Sequence, residues 1–73
     1  MIARSNADDI AYFISFCIEI YKHARKVSGE IASRIFSECG MIEYLADNYE
    51  VLHTQSPSWI LAEVEDYIKE KLQ

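Results

Sequence analysis

Nucleophilic and acid–base chemistry would have to come from two cysteines, Cys17 and Cys39, and two histidines, His23 and His53. A thiol attacks only as its thiolate, so it needs a base or cation beside it. Cys39 and His53 could supply such a pair, and a small enzyme using one of them is the alternative to keep. No orienting motif surrounds either residue, however. Cys39 also falls on the apolar stripe Ile31, Ile35, Phe36, where cysteine usually packs as a small apolar filler. The four residues show no C-x-x-C or H-x-x-x-H spacing, so no zinc site is expected. No carboxylate pair stands out as general acid and base, and no glycine-rich loop could cradle a phosphate. The expectation is a chain with no cofactor and no catalytic residue.

His53 stands between an apolar run and Ser56-Pro57-Ser58. One reading makes it the last residue of a helix, where an imidazolium favours the C-terminal dipole and Thr54 and Gln55 form local hydrogen bonds. Another makes Tyr49, His53 and Gln55 a polar recognition patch. The aromatic residues widen the second reading. Tyr12, Tyr44, Tyr49, Trp59 and Tyr67 cannot all be enclosed by so small a core, and most are expected at its edge, the tyrosines with wet hydroxyls. Exposed aromatics are also what protein-binding surfaces use.

The elements that would position these residues read as helices. Hydrophobic residues make up 51% and aromatics 12%, which is a core-forming composition, and the strand signals of Asn-Gly turns and long alternation are missing. The spacing predicts an all-α compact bundle or orthogonal array of four helices, about 6–27, 29–39, 41–53 and 57–71, in one domain over 1–73. Ser5 with Asp8 fits a capping box at the start of the first helix. Ser28 is an N-cap, Gly40 a left-handed C′ residue, and Ser56-Pro57 a helix start. Buried stripes are expected at Ile31, Ile35, Phe36 and Cys39, at Ile42, Leu45, Tyr49 and Leu52, and at Ile60, Leu61, Val64, Ile68 and Leu72.

The first helix is unusual. Asp8, Ser15, Glu19, Lys22, His23 and Lys26 fill an arc of about 100°, and Ile10, Phe13, Ile14, Phe16, Cys17, Ile18, Ile20, Tyr21 and Ala24 fill about 200° opposite. That apolar arc is about twice what a surface helix needs. Either neighbours wrap it or a partner shares it, with Phe16 and Ile20 at the contested edge.

Charge narrows the partner. The net charge is −5, which repels phosphate backbones, so nucleic acid is not an expected ligand. From Met41 onward Glu43, Asp47, Glu50, Glu63, Glu65, Asp66 and Glu70 face only Lys69 and Lys71, leaving no cation for a DNA-reading helix. The acids could instead steer a basic protein, or mimic phosphate on a nucleic-acid-binding one. The run "IAYFISFCIEI" follows Asp8-Asp9 and is broken by Glu19, so neither a signal peptide nor a span of about 20 apolar residues is expected. A cytoplasmic location with reduced thiols follows as the expectation.

Cys17–Tyr21, Gly40–Leu45, Tyr49–Gln55 and Ile60–Ile68 together resemble a family of short bacterial, often prophage-associated proteins classed as a domain of unknown function. Its members carry a CIEIY-like helix, a glycine-led centre, a Y-x-x-L-H-T-Q turn and an acidic last helix. Ser56-Pro57 stands where many relatives place a glycine. The resemblance implies no established activity and assigns no catalytic residue. Some relatives occur beside ADP-ribosyltransferase-like toxins, which implies an antitoxin-like or accessory role. The functional expectation is therefore a non-enzymatic interaction module that binds a protein partner or a second copy. Tyr49, His53, Gln55, Trp59, Phe16 and Ile20 are its candidate contact residues.

Overall fold

A computed structural model describes residues 7–72. Its elements are α1 (Ala7–Arg25), α2 (Gly29–Glu38), α3 (Met41–Asp47), α4 (Tyr49–Leu52) and α5 (Pro57–Lys71), with no strand among the described residues. The all-α expectation holds, with the third expected helix divided in two. The capping box placed at Ser5 lies outside the described residues.

Local chemistry explains most of the boundaries. The Ser28 hydroxyl accepts from the Ile31 amide at 3.1 Å and satisfies an orphan donor at the start of α2. Ser56 does the same for Trp59 at 3.2 Å, and Pro57 follows at a position where its missing N–H costs nothing. Gly40 sits at φ 77°, ψ 16°, the left-handed conformation that closes α2 and turns the chain into α3.

Three details correct the sequence reading. The first helix stops at Arg25, short of Val27, because Lys26 takes φ 56° and the Val27 amide bonds the Lys22 carbonyl at 3.2 Å. This is the six-to-one bond of a Schellman ending, made without a glycine. The third helix breaks at Asn48, whose side-chain amide donates to the Tyr44 carbonyl at 2.8 Å. That bond competes with helix continuation, as asparagine does in helix interiors. Ile31 (46% exposed) and Leu72 (54%) stand outside the core: Ile31 lies on the outer side of the α2 turn that buries Ala32, and Leu72 follows the last residue of α5.

One connected core holds the bundle. α1 contributes Phe13, Cys17 and Tyr21 at four-residue spacing, and α5 contributes Ile60, Val64 and Ile68 at the same spacing. Ala32, Phe36, Cys39, Met41, Leu45 and Leu52 complete it. α1 packs against both α2 and α5, and α3 packs beneath α1 and α5. Phe36, Met41, Leu45 and Val64 are fully buried, each worth about 1.5–3 kcal/mol of apolar transfer. Tyr21 and Phe36 meet with ring centroids 5.6 Å apart, tying α1 to α2.

Candidate functional site

A groove of about 420 Å³ lies between α1, α4 and the start of α5. Tyr12, Phe13 and Phe16 form one wall, Tyr49 and His53 the other, and Gln55, Pro57 and Ile60 close the end, with Asp9 at the rim. The helical spacing of α1 sets Tyr12 and Phe16 one turn apart on the same side. The break at Asn48 starts α4 afresh and helps set how Tyr49 meets α1.

The two rings of the α4 wall are held firmly. Tyr49 meets Phe13 edge to face, centroids 5.4 Å apart at 77°. The Tyr49 ring also stacks on the His53 imidazole at 4.3 Å and 6°. The His53 Nδ1 lies 2.7 Å from the Tyr49 carbonyl. A carbonyl oxygen only accepts, so Nδ1 carries the proton and donates. The Thr54 hydroxyl donates to the Val51 carbonyl at 2.8 Å, and the Gln55 amide donates to Leu52 at 3.1 Å. His53 ends α4, as the capping reading expects, and its ring lines the groove.

The structure brings four of the six sequence candidates together, Phe16, Tyr49, His53 and Gln55. Trp59 is 44% exposed and does not line the groove; it begins α5 facing outward. Ile20 packs half-buried against the core one turn beyond Phe16. Tyr12, 78% exposed, and Pro57 were missed as members of the groove. The four-residue step from Tyr12 to Phe16 was the signal that could have found the first.

The remaining chemistry is engaged elsewhere. Tyr44 donates to the Glu63 carboxylate at 2.6 Å, so its part-buried hydroxyl has a protein partner. That bond, with burial and the Glu63 charge, pushes the Tyr44 hydroxyl up to about 12. Tyr44 also stacks on Tyr67 at 4.5 Å, pinning α3 to α5. Cys17 is fully enclosed, and burial pushes its thiol up to about 12, far from a nucleophile's range. The Cys39 thiol lies in the core and points at the Phe36 carbonyl, 3.9 Å away. On α1 the exposed Glu19 pairs with Lys22 at 2.9 Å and His23 at 3.2 Å. The Lys22 hydrogen bond, aided by His23, holds the Glu19 carboxyl below its usual range. Among the described residues no group of His, Cys, Asp and Glu could hold a metal ion, and no helix is long and apolar enough to cross a membrane.

Fold and surface together define a small all-α domain whose developed site is an aromatic groove with a rim of few charges. The chain belongs to the family described as Protein of unknown function (DUF3791), whose model matches residues 12–71. Neither a comparison with curated proteins nor one with solved structures gave a match.

Proposed function

We propose that this chain is a non-enzymatic protein-interaction module whose contact surface is the groove between α1, α4 and the start of α5, continued along the exposed edge of α1. The observation that supports it is Tyr12. A tyrosine left 78% exposed beside Phe16, Tyr49 and Pro57 offers a large, stiff ring to a partner at little entropic cost. The Tyr49–His53 stack and its 2.7 Å tether make the opposite wall preorganised, which reduces the cost of binding. An antitoxin-like or accessory role in a bacterial or prophage gene cluster is part of the same reading.

The test is co-expression of the tagged chain with the product of its adjacent gene, using the wild type and Tyr12→Ala. Copurification that Tyr12→Ala weakens at least tenfold, with unchanged helical circular dichroism, is the expected result. Copurification indifferent to Tyr12 would move the contact surface elsewhere and remove the basis of this reading.

A further inference from the structure

We infer that the groove between α1, α4 and the start of α5 takes an arginine side chain from an exposed segment of a partner protein. This names the partner chemistry for the interaction reading above and rests on it. The groove lining holds aromatic rings, hydrogen-bond acceptors and a carboxylate, with no lysine or arginine. Tyr12 and Phe16 on one wall and Tyr49 on the other present rings whose faces carry partial negative charge. The His53 Nδ1 donates to the Tyr49 carbonyl at 2.7 Å, so the neutral ring keeps its lone pair on Nε2, which accepts. Gln55 adds an amide oxygen at the closed end. Asp9 has an interaction of its own, so it contributes through the field of its charge at the rim and not as a required contact.

Charge complementarity selects the occupant. An anion would meet a carboxylate at the rim, no cation in the lining and a chain of net charge −5, whereas a cation is attracted by all three. A purely apolar occupant would cover the His53 Nε2 and the Gln55 amide without giving either a partner, a cost that ring contact would have to offset. The chain already uses cation–ring attraction on α5, where the Lys71 ammonium lies 5.4 Å from the centroid of the Tyr67 ring.

Arginine meets these demands together. Its flat guanidinium stacks on a ring face, its fork of N–H groups donates to nitrogen and oxygen acceptors, and its carbon stem covers apolar surface. Tyr12, 78% exposed, offers the most open ring for the stack. Lysine carries a compact, strongly hydrated charge that neither stacks nor forks, so it fits the same lining less well. The volume of about 420 Å³ lies within the range of about 300–1,000 Å³ typical of ligand sites, enough for one side chain and its flanking backbone.

The experiment titrates the isotope-labelled full chain with the end-blocked peptide Gly-Ser-Arg-Ser-Gly and its citrulline, lysine and leucine counterparts. Amide NMR shifts are followed up to about 20 mM peptide, a span suited to the affinity of a single side chain. Citrulline keeps the shape of arginine without its charge. The arginine peptide should shift amides around Tyr12, Phe16, Tyr49, His53 and Gln55, and bind about tenfold more tightly than the citrulline peptide. Tyr12→Leu keeps apolar surface but removes the ring, so it should weaken the arginine peptide about threefold and leave the leucine peptide unaffected. Equal binding of arginine and citrulline, a preference for leucine, or an arginine peptide that shifts no groove amide overturns the inference. Groove amides that shift only as the chain itself is concentrated would place a second copy there and overturn it too. Copurification that depends on Tyr12 is a separate readout, so the interaction reading stands or falls independently of arginine.

Discussion

The two glycines give opposite predictions for the same substitution, and their surroundings set the sign. Gly40 holds φ 77°, and a Cβ built there would meet the Tyr67 hydroxyl at 3.7 Å, ordinary contact. Space is therefore available, and the cost of Gly40→Ala is conformational alone. An L-residue in the left-handed region costs about 1–2 kcal/mol, offset in small part by the stiffer unfolded chain, so a net loss of about 1 kcal/mol is expected. Gly29 begins α2 with no positive φ, and its Cβ would meet only the Lys22 side chain at 3.8 Å. There alanine should stabilise by about 0.5 kcal/mol, the usual helix preference reduced at a first-turn position. D-alanine at position 40, accessible by chemical synthesis, prefers positive φ and should stabilise by about 0.4–1 kcal/mol. Urea unfolding followed by circular dichroism at 222 nm reads all three, with a constant m-value as the check on two-state behaviour. Equal effects of L- and D-alanine at position 40 would refute the left-handed turn, and with it the geometry joining α2 to α3.

Three further predictions follow from the same contacts. Lys26→Gly should stabilise by about 0.5–1 kcal/mol in urea, because glycine takes the φ of 56° that closes α1 without strain. Tyr44→Phe should cost about 1 kcal/mol at pH 7. The Tyr44 hydroxyl is raised above its ordinary value of 10.0 to about 12, so the stability it adds is full below pH 10, is lost as pH climbs through about 12, and should make wild type and variant converge there. With its thiol pushed up to about 12, Cys17 should resist iodoacetamide at pH 8, where about one thiol in ten thousand is ionised, and react once urea unfolds the chain. Mass spectrometry of tryptic peptides reads this, and rapid native labelling of Cys17 would contradict its enclosure.

Features written in neighbouring residues were the legible ones. Ser28, Gly40 and Ser56-Pro57 each act through a hydrogen bond or dihedral within four residues, and the structure places all of them as expected. Lys26 and Asn48 were not legible, because a lysine rarely adopts positive φ and an asparagine within "YLADNYEVL" does not announce which backbone group it will bond. The groove was half legible. Phe16, Tyr49, His53 and Gln55 could be singled out by type, but which of them share a surface depends on the renewed start of α4 at Tyr49. Trp59 stayed outside for the matching reason: the Ser56 cap sets the first turn of α5 so that Ile60, and not Trp59, faces inward. The Tyr44 hydrogen bond was not legible because its partner, Glu63, lies on a different helix and is invisible to local spacing.

The most direct test of a protein-binding groove is a photoreactive benzoylphenylalanine placed at Tyr12 and, as control, at the exposed Ser37 of α2, each expressed in the native host and irradiated. The account predicts a discrete protein adduct from position 12 and none from position 37, with an adduct of twice the chain mass marking a second copy and any other mass a distinct partner. Irradiation that yields no adduct from position 12, or the same adducts from both positions, would contradict it.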